Sequence, residues 1–330
     1  MCSSDLDDKA GVAIVMAAAR HLLRHPEIPH GPIRVCFNPD EEIGRGVEKL
    51  DLALVGADVA YTLDGGERGE VNFETFSADG ARVEFVGVAA HPGWAKDTMV
   101  NALRLAGRFV AALPAGVSPE HTSGREGFVH PVEITGNSER ATVRLILRDF
   151  ELDGLAAKRA LVEQAAGAIR AAEPRARVEV NFTEQYRNMR YWLEKDMRPV
   201  EHALAAVRRA GIEPVVNAVR GGTDGSRLTA RGLPAPNLFT GMQEVHSQRE
   251  WVSLQDMTRA AEVLLHLACS WEEKAERRAV FTAVGLCRAR RGQMTRGMNP
   301  APLARLLPVW AALFSAARSE EHTSELQSRL

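Results

Sequence analysis

Cysteine is scarce in this 330-residue chain: there are four, at positions 2, 36, 269 and 287, and no Cys-x-x-Cys pair. That spacing excludes a disulfide-framed fold and a cysteine zinc site, and it suits a reducing, cytoplasmic compartment. Long apolar runs are missing too. The longest nearly apolar stretch, Leu306 to Ala317, has 12 residues and contains Pro308, whereas a bilayer span needs about 20. Charge of one sign is also lacking. The 41 Lys+Arg against 43 Asp+Glu leave a net charge of −2, so nothing electrostatic favours nucleic acid or an anionic membrane as partner. No basic start followed by an apolar run marks a signal peptide. What is present is globular composition, 45% hydrophobic and 25% charged, at a length expected to hold two domains of roughly 100–200 residues each.

The ends differ from the middle. Between Lys274 and Arg318 there are nine Lys/Arg and one acid, Glu276. Without aromatic residues interleaved, this reads as a basic, disordered or non-native tail rather than an arm for a polyanion. The residues after Arg318, and Cys2 to Leu6, resemble translated adapter DNA and stay outside fold reasoning. The natural protein is therefore expected to begin upstream of Met1.

The middle changes texture twice. Residues 9–25 read as a helix, 33–38 as a strand stopped by Pro39, and 57–63 as a strand ended by Gly65-Gly66. Strands alternating with helices predict an α/β domain with a mainly parallel sheet. Residues 71–88 then read as two strands around a turn at Asp79-Gly80. A helix (99–113), strands (129–135, 141–149), a helix (153–172) and a strand (177–183) complete an antiparallel α+β unit. The α/β texture resumes with a helix (198–210), strands (214–219, 235–239) and a helix (254–270) capped by Ser253 with Asp256. The predicted layout is a catalytic-type sheet domain (1–73), an inserted lid or dimerisation domain (74–191), the sheet domain again (192–273) and the tail (274–330).

Acids gather at matching places. Asp7-Asp8 precedes the first helix, Glu41-Glu42 follows the first strand, Asp64 closes the second, and His246 lies in a loop after the strand at 235–239. Ligands of open α/β sheets bind beyond the carboxyl ends of strands. Carboxylates brought together there repel unless a cation lies between them, and Asp, Glu and His suit Zn²⁺ or Mn²⁺. The alternative for each is a solvated loop residue or a cap, such as Asp7 or Asp8 capping helix 9–25. Spacing alone does not decide between them. His21 and His25 are about 20 Å along that helix from Asp7, at 1.5 Å per residue, so they belong to a solvated helix end.

Ten collinear segments carry a resemblance: DDKAGVA (7–13), FNPDEEIGRG (37–46), YTLDGG (61–66), AHPGWAK (90–96), EGFVHP (126–131), RDF (148–150), YRNMR (186–190), RGGTDGSRL (220–228), GLPAPNLFTG (232–241) and VHSQREWV (245–252). In order and spacing they resemble the M20 metallopeptidase family, in its tripeptide-aminopeptidase branch. The resemblance implies two zinc ions, with Asp7 bridging them, Glu42 and Asp64 each on one, and His246 as second ligand beside Glu42. It implies Glu41 as general base and an Asp7–Asp8 peptide that is often cis. His91 on the inserted domain resembles a histidine that holds the oxyanion, in a neighbouring subunit's site or its own. Arg187, Asn188 and the Arg220-Gly-Gly-Thr-Asp224 loop are candidates for substrate contact, with surface ion pairs as the alternative for the two arginines.

The chain departs from the family in one respect. The family's remaining zinc ligand lies in a His-x-Asp motif upstream of the DDK segment, and none of the six residues before Asp7 is His. The polypeptide as written is thus expected to bind metal poorly and to have impaired activity. The reading that follows is a co-catalytic zinc aminopeptidase acting on small peptides, with a homodimer through the inserted domain. Two rivals stay open: another M20 activity, carboxypeptidase or N-acyl amino-acid deacylase, and a non-catalytic dimerisation or binding module.

Overall fold

The computed structural model describes residues 7–273 and 285–288. By internal contacts the chain divides into Met1–Arg291 and Gly292–Leu330. The second unit, and with it most of the expected tail, lies outside the described residues.

The first helix, α1 (Lys9–Arg24), buries Ala10, Gly11, Ile14, Val15, Ala18 and Leu22. Their spacing of three or four residues makes one apolar stripe. Strand β1 (Ile33–Cys36), the short helix α2 (Leu52–Val55), β2 (Thr62–Gly65) and β3 (Val71–Asn72) complete the first sheet segment. After the insertion come α5 (Arg190–Leu193), α6 (Arg198–Arg209), α7 (Asp224–Ala230), β8 (Asn237–Phe239), β9 (Met242–Gln243), β10 (Trp251–Val252) and α8 (Leu254–Glu273). Strand β8 runs parallel to β2 and antiparallel to β3, so this sheet is mixed. A last strand, β11 (Gly285–Arg288), pairs antiparallel with β1. Helices α1, α6 and α8 cover β2 and β8 in one core holding Ile14, Tyr61, Leu63, Val207, Leu238 and Leu264. At about 1.5–3 kcal/mol per buried large side chain, this core holds the sheet that carries the site. The Ser253 cap on α8 forms as expected, with Asp256 N–H donating to Ser253 Oγ at 3.0 Å.

The inserted unit is a four-stranded antiparallel sheet in the order β5-β6-β4-β7: β4 (Ser77–Val86), β5 (Phe128–Gly136), β6 (Arg140–Asp149) and β7 (Arg177–Tyr186). Helices α3 (Ala102–Ala112) and α4 (Leu152–Ala172) pack on it around Phe85, Phe109, Val143 and Val162. Two expectations fail. No turn forms at Asp79-Gly80: β4 passes straight through, because Asp79 is fully buried between Arg159 Nε at 2.6 Å and Arg187 Nη1 at 3.0 Å. Residues 214–219 are not a strand: they meet the chain around β3 through isolated bridges at Val215 and Val219 and through the Asn217 carbonyl.

Asn188 ties the two crossings between the units. Its Oδ1 accepts from Thr75 N–H at 3.1 Å, its own N–H donates to Ser77 Oγ at 3.1 Å, and its Nδ2 donates to the Phe150 carbonyl at 3.2 Å. No helix among the described residues is long and apolar enough to cross a membrane.

Candidate metal centre

Parallel pairing of β2 and β8 sends the chain out of both strands at the same sheet edge. Asp64 lies at that edge in β2, and the loop after β8 returns His246 to it. The α1 N-terminus comes to the same place because Gly11 has no side chain. A Cβ there would lie 2.6 Å from the Leu63 carbonyl and 2.1 Å from Asp8 Oδ2. Asp8 is the helix cap, its Oδ1 accepting from Gly11 N–H at 2.7 Å. The Asp7–Asp8 peptide is cis.

Asp7, Glu42 and His246 each present one ligand atom, and these atoms lie within 4.8 Å of one another. His246 Nε2 is 3.0 Å from Asp7 Oδ2 and 3.5 Å from Glu42 Oε2. Asp64, half-buried at the end of β2, interacts with Asp7 and Asp8 but is not one of the three residues of that group. Burial and the charges of Asp8, Glu41 and Asp7 push the Asp64 carboxyl well above the usual range. Asp8 is raised by burial first, then by Asp7, Glu41 and Glu250, against the lowering hydrogen bond from Gly11. Glu41 is pushed up to about 7 by burial, with Asp224, Glu42 and Asp7 adding to it and Arg227 opposing. So many mutually raised carboxylates describe a site whose charge calls for a cation. A second sign is Asp8 Oδ2, buried with no hydrogen-bond partner among the described residues. Carboxylates with one imidazole are the donor set of a borderline divalent ion, so the residues fit the metal that the sequence implied.

The loop carrying Glu41 and Glu42 is held from below. Asn38 Nδ2 donates to Asp224 Oδ2 at 3.1 Å. Gly46 rides so close that a Cβ on it would be 2.3 Å from the same oxygen. Asp224, 1% exposed at the start of α7, was singled out in the sequence only as part of a loop. Its spacing to Asn38 gives no signal, since 186 residues separate them. Asp40 and His246 adopt left-handed backbone, φ 65° and 63°, costing roughly 1–2 kcal/mol each; both sit where the loops turn toward the cluster.

The remaining candidates are placed differently. Arg220 donates to the carbonyls of Gly124 (2.7 Å) and Glu126 (2.8 Å) and packs over Phe76 and Phe128. Its Nη2 also donates to the Thr122 carbonyl (3.4 Å) and hydroxyl (3.1 Å); no carboxylate among the described residues pairs with it, so it brings net positive charge to the cavity it lines with Asp64. Arg187 is neutralised inside its own unit by Asp79 at 3.0 Å and Glu184 at 2.6 Å. Asn188 is the fully buried bracket described above. His91 lies beyond the far end of β4, whose ten residues extend about 33 Å from Ser77 at 3.3 Å per residue. There its ring lies tilted against that of Trp94, centroids 4.4 Å apart, away from the cluster.

Residues 5–270 match the family model described as Peptidase family M20/M25/M40. The chain belongs to the M20 peptidase family. Its relatives include a Peptidase T of Aeromonas hydrophila, 46% identical over 261 residues, which cover 79% of this chain and 64% of that protein. The chain thus spans just under two thirds of that relative's length. Among solved structures, the aminopeptidase PepT of Bacillus cereus superposes with a TM-score of 0.65 at 23% identity, covering 80% of this chain and 71% of the other. A dinuclear metal-binding M20 peptidase of Bacillus subtilis gives 0.54 at 18%, covering 72% and 64%. At these identities the two structures speak for the shared M20 fold.

Proposed function

We propose that this M20 chain carries the catalytic apparatus of a metal-dependent aminopeptidase that removes the N-terminal residue of tripeptides. One observation carries the reading: Asp7, Glu42 and His246 bring their ligand atoms within 4.8 Å of one another, next to a Glu41 pushed up to about 7. The 46% identity to a Peptidase T supports the peptidase reading.

Asp7, Asp64, Glu42 and His246 are the residues that would hold metal, taken as zinc, two ions in a complete subunit. Asp7 touches both His246 and Asp64, which suits a bridging carboxylate. Such an ion, when bound, supplies Lewis acidity to a carbonyl and makes water acidic near neutral pH. Glu41 is the general base: with a proton affinity near neutrality it takes the proton from attacking water and passes it to the departing amine. Arg220 offers its uncompensated charge to the peptide. Arg187 and Asn188, assigned to substrate in the sequence, serve through the shape of the cleft. Given the reach of β4, His91 joins a site only from a second chain, so a homodimer through the inserted unit completes it; the edge strand β5 exposes Val132 and Ile134. The scarcity of cysteine and the thiol of Cys36 suit a cytoplasmic protein.

The test is hydrolysis of trialanine against N-acetyl-trialanine with zinc present. Slow release of alanine from the free peptide, in keeping with the impaired metal binding expected from the sequence, and still less from the blocked one, is expected. Equal or faster cleavage of the blocked peptide would replace this reading by a carboxypeptidase or deacylase.

A further inference from the structure

The cavity that opens beside Asp64 continues past it. It measures about 630 Å³, and its walls include Asp64, Gly66, Glu70, Asn217 and Arg220, a size suited to a small ligand. One end is anionic and another cationic, matching the two termini of a short peptide.

Glu70 is the acid of that wall outside the metal cluster, and it is held in place. Its backbone N–H donates to Glu67 O at 3.1 Å, and its carbonyl accepts from Phe239 N–H at 3.1 Å. Its Oε1 accepts from Asn217 Nδ2 at 3.0 Å. Asn217 is anchored in turn: its carbonyl accepts from Asn72 Nδ2 (3.0 Å), Asn72 Oδ1 from Asn237 Nδ2 (3.2 Å), and Asn237 Oδ1 from Thr62 Oγ1 (2.8 Å). A chain of amides rooted in the buried sheet therefore ends on one oxygen of Glu70. The other, Oε2, lies next to Gly66, 3.4 Å from the position of a Cβ there, two residues from Asp64. A larger residue than glycine at 66 would stand between that oxygen and the metal edge.

We propose that Glu70 binds the α-ammonium of the peptide and that Asn217 positions it, so that this cleft selects substrates with a free N-terminus. The inference rests on the aminopeptidase reading above and names the group that would make it one. The reacting carbonyl must lie at Asp64, and its α-nitrogen is two bonds away, on the side where Gly66 leaves room for Glu70. A carboxylate fixed by one hydrogen bond keeps a free oxygen for a charged donor, and charge-assisted bonds are the strong ones.

The experiment uses the chain carrying Glu41→Gln, with zinc, so that ligands stay intact. Calorimetry measures the binding of trialanine and of N-acetyl-trialanine. Trialanine is expected to bind at least about tenfold more tightly, the effect of one charge-assisted contact. Adding Glu70→Gln, which keeps an acceptor for Asn217, should weaken trialanine about tenfold and leave the acetylated peptide unchanged. Asn217→Ala should move the ratio the same way by less. Glu70→Asp, a second variant that keeps the charge, should retain part of the preference. A ratio unchanged by Glu70→Gln, equal weakening of both peptides, or no binding of either would overturn the proposal. Failure of the aminopeptidase reading shows separately, as cleavage of N-acetyl-trialanine by the chain with Glu41 and Glu70 intact.

Discussion

Glu41 and Glu42 are neighbours in sequence, and the proposed division into base and metal ligand rests on their different surroundings. Glu42 reaches outward to His246, whereas Glu41 turns toward buried Asp224 and is raised to about 7. A carboxylate held near neutrality is useful as a base because it can both accept and release a proton. Glu41→Gln should lower kcat by about 10²–10⁴-fold. Zinc affinity should stay within a few-fold, since Glu42 and Asp7 remain, and calorimetry beside steady-state rates reads both. An unchanged rate would remove the assigned base. The adjacent acids are visible in sequence; which one stays free of metal is not, because it depends on Asp224, far along the chain.

At the scale of elements, the site is a meeting of loops that two close approaches allow. The Glu41-Glu42 loop descends on α7 at Gly46, and α1 descends on β2 at Gly11. Gly46→Ala forces a methyl group into the Asp224 carboxylate and should destabilise the fold by about 1–3 kcal/mol, as overpacking does. Because the same loop carries Glu42, zinc affinity should fall with it. Urea unfolding and a zinc titration on the same preparation check the two effects; native stability with native zinc affinity would show that the loop does not depend on Asp224. The elements themselves were largely legible. Helices α1, α4, α6 and α8 end within a few residues of their periodicity, since their apolar stripes pack into buried cores, α4 in the inserted unit and the other three on β2 and β8. The Asp79-Gly80 turn was misread because local turn preference lost to burial of Asp79 between two arginines. The stretch 214–219 was misread because its apolar alternation faces only isolated bridges and leaves Val215 and Val216 exposed.

At the scale of the molecule, the carboxylate cluster sets how stability responds to pH and metal. In metal-free protein Glu41 titrates at about 7, above the unfolded value of about 4.3. Between those values the folded state holds more protons than the unfolded state. Stability therefore falls as pH rises through this window, and Asp8 and Asp64, also raised, act in the same direction. Metal-free protein should melt at a lower temperature at pH 7.5 than at pH 5.5, and saturating zinc should raise the pH 7.5 value. At a thousandfold excess over Kd the gain is about 4 kcal/mol. Scanning calorimetry at both pH values, with and without zinc, checks the sign. A second whole-molecule expectation concerns His91. If it serves a partner's site, Glu41→Gln and His91→Ala chains, each inactive alone, should regain about a quarter of the wild-type rate when mixed and reassociated, because half the dimers are mixed and each holds one intact site. No recovery would remove the role of His91 in a partner's site.

The amino-acid sequence by itself determined most of the elements and the acids at the strand ends, because periodicity, caps and strand-end acids are local properties. Only the tertiary structure decided which of those residues meet. It brought Asp7 to His246 across 239 positions, tied Arg187 into the inserted sheet, and set His91 at the far end of β4. Convergence of this kind depends on strand pairing and on gaps left by glycine, which no stretch of sequence contains.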